Sequence, residues 1–229
     1  MILPANRGRV RTALAIASSN AKLELRALEA FNLIDKILTD KVGFAWECVS
    51  TNDTSGAKST KRMGTVCHIA VSRIVCIAGG MPIVDVGFGY GQVLFQLQML
   101  GANVCGGMEM ANEYTPIANE VYNMYFKHLP GYPLELEMGK LTCKWIVPQQ
   151  PRVYYMNNLA LEPKENEAIW KILSQAPVGS KVITTSLMTH IRGGGWEMNY
   201  DKVPFAARHS IHENGKHCKH GLVCYTRVW

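Results

Sequence analysis

The stretch Ile83-Val84-Asp85-Val86-Gly87-Phe88-Gly89-Tyr90-Gly91-Gln92 constrains the fold of this chain more than any other. A short apolar run passes into alternating glycines and then into Val93, Leu94, Leu97 and Leu100 at helical spacing. That order spells a buried strand, a tight turn and an amphipathic helix. Such a unit cannot bury its own faces, so it needs further strand–helix units beside it. Right-handed crossovers then make the sheet mainly parallel.

The rest of the chain supplies those units. Pro82–Val86 is expected as a buried strand, with a helix over Gly91–Leu100, a strand over Asn103–Met108 and a helix over Asn112–Lys127. Leu134–Met138, Val153–Met156 and Lys181–Thr185 follow as strands, with a helix at Pro163–Leu173. Near the end, Phe205–Ile211 and Leu222–Trp229 are strand-like and joined by the polar loop Glu213–His220, the pattern of a hairpin. Upstream, Leu23–Asp40 is expected as a helix with Ala27, Phe31, Ile34 and Leu38 on one face. Thr51–Arg62 lacks an apolar period and reads as a loop, and Thr65–Ala78 is a second helix ended by Gly79-Gly80. The expected fold is α/β and doubly wound, a mainly parallel sheet closed by a C-terminal antiparallel hairpin. Residues 1–63 form a basic arm and helical extension ahead of a main domain at 64–229.

Composition narrows the classes. A chain of 229 residues holds one such domain and not two. With 48% hydrophobic and 18% charged residues it folds into a globule rather than staying disordered. The apolar runs are too short to span a bilayer, so a soluble protein is expected. Seven scattered cysteines, an odd number partly inside apolar stretches, argue against a disulfide framework and fit a reducing compartment. The net charge of +6 is a mild excess that favours an acidic partner such as nucleic acid or chromatin. Met1–Leu23 carries Arg7, Arg9, Arg11 and Lys22 without an acid, which fits either a transit peptide for mitochondrial import or a basic arm.

The glycine turn is where chemistry is expected. Gly87, Gly89 and Gly91 let main-chain amides approach a ligand beyond the carboxyl end of the strand. Asp85, just before the first glycine, suits a cationic ammonium better than a pyrophosphate. Glu109, at the end of the next strand, can accept from ribose hydroxyls. The pairing favours a nucleoside without phosphates. A dinucleotide dehydrogenase and a turn without any ligand are the alternatives.

Two segments carry a family resemblance. Asp85-Val86-Gly87-Phe88-Gly89-Tyr90-Gly91-Gln92-Val93, followed by Gly107-Met108-Glu109, resembles the cofactor motif of the disruptor-of-telomeric-silencing histone lysine methyltransferases. Val153-Tyr154-Tyr155-Met156-Asn157-Asn158-Leu159-Ala160-Leu161 resembles that family's Asn-Asn-Phe-Ala-Phe motif. The resemblance implies a class I, seven-strand Rossmann-like fold, S-adenosyl-L-methionine as cofactor, and methylation of a histone core lysine within nucleosomes in the nucleus. It implies that Asp85, Gly87, Gln92 and Glu109 hold the cofactor and that Asn157 sits beside the methyl donor. Leu159, Leu161 and Tyr225 would line the lysine channel, with Asn158 beside them. The family's Asp-Phe pair at the adenine is Lys140-Leu141 here, and lysine cannot accept from an exocyclic amine. Its Tyr-Gly-Glu ahead of the motif is Met63-Gly64-Thr65, and its Ser-Ser-Lys-Pro is Thr185-Ser186-Leu187-Met188.

Methyl transfer needs placement more than acid catalysis, because the sulfonium's leaving group departs neutral. An apolar channel beside that cation would strip a lysine of its proton by desolvation and repulsion. Asn157 and Asn158 offer amide oxygens to orient an amine, or else cap a turn. The resemblance makes Asn157 and Tyr225 the candidate catalytic residues. His209, His212, His217, Cys218 and His220 have no standard zinc spacing, so no metal is expected. Lys202, Arg208, Lys216 and Lys219 form a basic patch able to touch phosphates. Three functions follow in order: a histone lysine methyltransferase, a class I methyltransferase of RNA or a small molecule, which leaves a cytoplasmic location open, and a non-catalytic binding module.

Overall fold

The computed structural model describes residues 4–42, 51–52, 58–59, 66–129, 133–158, 161–188, 191, 195–201 and 221–229. Its helices are α1 (Pro4–Val42), α2 (His68–Ala78), α3 (Gln92–Met99), α4 (Tyr114–Val121) and α5 (Pro163–Leu173). Its strands are β1 (Thr51–Asn52), β2 (Lys58–Ser59), β3 (Ile83–Val86), β4 (Val104–Glu109), β5 (Glu135–Met138), β6 (Val153–Met156), β7 (Lys181–Thr184), β8 (Trp196–Asp201) and β9 (Leu222–Arg227).

Seven strands form one sheet in the order β5-β4-β3-β6-β7-β9-β8. The first five pair in parallel, and β9 lies antiparallel between β7 and β8. This is the expected doubly wound sheet with its antiparallel end. The chain leaves β3 outward through β4 to β5, then returns to the other side of β3 for β6. Connections therefore depart in opposite directions on the two flanks of β3, and a crevice opens there at the carboxyl ends.

The central strands are mostly apolar because both of their faces are covered, with Asp85 the buried acid of β3. Ile83 and Tyr155 pack into one core with Ile34, Leu38, Ile74, Leu94 and Phe95. Val84, Tyr154 and Val182 pack into the other with Trp145, Leu173 and Tyr225. Helix α5 starts cleanly: Pro163 stands in its first turn, and Glu162 and Glu165 form a reciprocal capping box.

Four expectations change. Helix α1 begins at Pro4 rather than Leu23, so the basic arm is itself helical. The Ala-rich stretch favours helix by propensity without showing an apolar period. The helix expected to run to Lys127 is α-helical only to Val121 and continues as a wider π turn over Tyr122–Phe126, closed by Lys127 N donating to Tyr122 O at 2.8 Å. That turn sets Phe126 flat against Phe95, centroids 4.6 Å apart. The outer strand of the hairpin is Trp196–Asp201, paired with Leu222–Arg227. The segment Phe205–Ile211 expected in that place lies outside the described residues. The loop Thr51–Arg62 contains the short antiparallel pair β1–β2. Among the described residues, no helix is long and apolar enough to cross a membrane.

Candidate active site

Strand β3 ends at Val86, and the chain turns through Gly87, Gly89 and Gly91 at φ of +88°, +56° and +85°. Side chains rarely tolerate that region. The three glycines nevertheless serve different ends. A β-carbon at Gly91 would strike the Phe95 ring at 2.6 Å, so packing demands glycine there. One at Gly87 would meet no atom within 4 Å, so this backbone borders open space. Phe88 and Tyr90 turn inward and are buried, with Tyr90 against Tyr114 at 4.5 Å. The motif's aromatic residues thus anchor the turn.

Glu109 closes the neighbouring strand and reaches back to this turn. Its Oε2 accepts from Gly89 N and its Oε1 from Ala111 N, both at 2.8 Å. Burial raises its pKa, while the amides of Ala111, Gly89 and Met110 pull it down. Asp85 is 1% exposed, and its Oδ1 has no partner. Burial, and after it the charge of Glu109, holds its carboxyl well above the usual range. Two acids therefore stand at the ends of adjacent strands. No hydrogen bond or ion pair to a basic side chain is present at either among the described residues. The arrangement favours an incoming cation, which would ionise Asp85 and satisfy it at once.

Gln92 opens α3 directly after the glycines and is 5% exposed. Its Oε1 accepts from Val66 N at 3.3 Å, and its buried Nε2 has no partner. Tyr155 stands beside Asp85 in the β3–β6 register, fully buried with its hydroxyl unpartnered. Burial first, then Asp85, raises its pKa well above the ordinary phenol range.

Asn157 is the first residue beyond β6 and takes a bond from Thr185 Oγ1 at 3.0 Å. Asn158 is buried and engaged within the protein. Its Oδ1 accepts from Thr185 N at 3.1 Å and Ser186 N at 2.8 Å, and its Nδ2 donates to Ser186 O at 3.2 Å. It ties the end of β6 to the loop after β7. Tyr225 is 2% exposed, packs near Trp170, and accepts from Met188 N through its hydroxyl at 3.0 Å. Leu161 is half-buried against the second core. Leu159 lies outside the described residues, as do His209, His212, His217, Cys218 and His220 and the basic patch at Lys202, Arg208, Lys216 and Lys219. Among the described residues no cluster of three or more His, Cys, Asp or Glu side chains could hold a metal.

Asp85, the three glycines, Gln92, Glu109 and Asn157 thus converge at the carboxyl ends of β4, β3 and β6. Asn158 and Tyr225 belong to the frame behind them. Sequence reasoning missed Tyr155 and Thr185. Thr185 was signalled by the hydroxyl pair Thr185-Ser186 that follows β7, whereas an internal strand tyrosine gives no sign of the acid beside it. The group fits a cationic nucleoside: an orphaned buried acceptor, an orphaned buried donor and an uncovered glycine backbone lie together.

No family model matches the chain, and no curated protein matches it in sequence. Solved structures are similar in fold. An RNA methyltransferase from Salinibacter ruber, in complex with S-adenosyl-L-homocysteine, is 16% identical with a TM-score of 0.45, over 69% of this chain and 90% of its own. An rRNA methylase from Streptococcus thermophilus is 12% identical with a TM-score of 0.48, over 74% and 100%. A SAM-dependent O-methyltransferase from Thermotoga maritima is 16% identical with a TM-score of 0.46, over 73% and 68%. Likeness at these identities concerns the path of the backbone alone.

Proposed function

We propose that this chain is an S-adenosylmethionine-dependent methyltransferase whose donor lies across the ends of β4, β3 and β6. The observation that carries the reading is the buried Asp85 and the half-buried Glu109 beside the open backbone of Gly87. Asp85 would receive the ammonium and Glu109 the ribose hydroxyls, with Gln92 Nε2 a further donor. A dinucleotide fits less well, because an anionic pyrophosphate supplies no cation to ionise and pair the buried Asp85 carboxyl. When bound, the donor supplies a methyl group on a sulfonium, activated toward displacement. The chain's own part is to hold it and to present an acceptor at Asn157, the polar side chain that follows β6.

For the acceptor we favour a nitrogen of RNA or of a small molecule. The Asn157 amide can orient such a nitrogen, and the net charge of +6 suits a polyanion. The histone lysine reading rests on the motif resemblance and requires a walled channel. Two of its expected wall residues, Asn158 and Tyr225, are committed to internal hydrogen bonds. On that second reading the protein would act on nucleosomes in the nucleus.

The test is calorimetry with S-adenosylhomocysteine, then radiolabelled methyl transfer onto RNA, nucleosomes, free histones and small amines. Binding followed by label on RNA or an amine supports the proposal. Label on nucleosomes alone moves the assignment to histone lysine, and absence of binding removes the enzyme reading. Asn157→Ala should lower turnover at least about tenfold while changing cofactor affinity less than about threefold. Unchanged turnover would make Asn157 structural.

A further inference from the structure

Outside the converging residues lie an apolar groove between α1 and the π turn, the exposed Met198 and Tyr200 on edge strand β8, and the bare backbone beyond Glu109. Nothing in the structure says what would cover the first two. The third has a direction built into it. Asp85 is the penultimate residue of β3, Glu109 ends β4, and the next strand outward is β5. A nucleoside with its amino-acid end at Asp85 and its sugar at Glu109 carries its base to the end of β5.

At that end the main chain is uncovered. Gly139 follows β5 and its N–H continues the ladder, donating to Glu109 O at 2.8 Å. Its φ is +143°, and a β-carbon there would meet no atom within 4 Å. Buried Leu141, packed with Met108 and Trp145, flanks this bare stretch from one side, and half-exposed Met110 comes from the end of β4. Lys140 is exposed between Gly139 and Leu141. The nearby Lys144 is paired with Glu135 and Glu137, whereas no ion pair holds Lys140 among the described residues. Glu113, the other acid near the end of β4, acts electrostatically on Tyr90, Tyr114 and Glu109.

We propose that the donor's purine lies on the bare Gly139 backbone, with the Lys140 ammonium as its edge reader, so the site does not select for a 6-amino group. The inference rests on the function proposed above. An ammonium donates, so it can bond either to adenine N1 or to the 6-oxo oxygen of hypoxanthine. A carboxylate in that place would accept from the amine, and a site built that way rejects an analogue lacking the group far more than about tenfold.

The test is competitive calorimetry of the full chain with S-adenosylhomocysteine and S-inosylhomocysteine. Affinities within about tenfold of each other support the proposal, and a larger preference for the adenosyl compound overturns it. Lys140→Glu, at an exposed position where folding is not at stake, should shift the ratio toward the adenosyl compound by about tenfold. An unchanged ratio would remove Lys140 from the base. If neither compound binds the unmodified chain, the methyltransferase reading fails together with this one. Failure of the inosyl compound alone sinks only the inference about the base.

Discussion

At the scale of the residue, Asp85 carries the conflict between stability and binding. Its carboxyl is buried and protonated well above the ordinary carboxylate range. The folded chain therefore keeps a proton that the unfolded chain gives up, and stability falls as pH rises from the ordinary range through the raised pKa. Asp85→Asn should remove that dependence and raise the melting temperature at neutral pH by about 2–4 °C, the size of a ~1 kcal/mol gain in a chain this long. The same change should weaken S-adenosylhomocysteine binding at least about tenfold, because the ammonium loses its counter-charge. Binding a cation beside Asp85 should also release its proton, so affinity should rise with pH; a flat profile in calorimetry would place the ammonium elsewhere. The acid's position ahead of the glycines was legible in the sequence. Its unpartnered oxygen and the Tyr155 hydroxyl beside it were not, since both depend on the register between β3 and β6.

At the scale of the element, local pattern and pairing divide the work unevenly. Strand β6 and helix α5 fall where the sequence puts them, because an apolar run bounded by polar residues and a proline-led capping box are local signals. Strand β8 was missed although Trp196, Met198 and Tyr200 alternate with Glu197, Asn199 and Asp201. Its alternation is half-polar, and only pairing with β9 at Met198↔Tyr225 and Tyr200↔Val223 selects it. The Asn158 strut belongs to this scale too, since it joins β6 to the loop after β7. Asn158→Ala would strand the N–H groups of buried Thr185 and half-buried Ser186, at a cost of about 2–4 kcal/mol in urea unfolding. A cost under about 1 kcal/mol would mean that water or the neighbouring loop replaces it.

At the scale of the molecule, the long α1 is part of the main core. Ala27, Ile34 and Leu38 are wholly buried in the same cluster as Ile74, Leu94 and Phe95. Ile34→Ala should therefore cost about 2–5 kcal/mol and lower the midpoint of a single unfolding transition. A separate early transition, with the sheet's melting unchanged, would show α1 to be an independent unit. Alternating strands and helices, the glycine turn and the acids flanking it were determined by the sequence itself, because each follows from hydrophobic period and backbone sterics within a few residues. The tertiary structure alone decided that Asn158 and Tyr225 serve as frame, that β8 closes the sheet, and that Gly87 and Gly139 border open space. Those outcomes depend on which distant groups arrive within bonding or contact distance, and no local pattern encodes that.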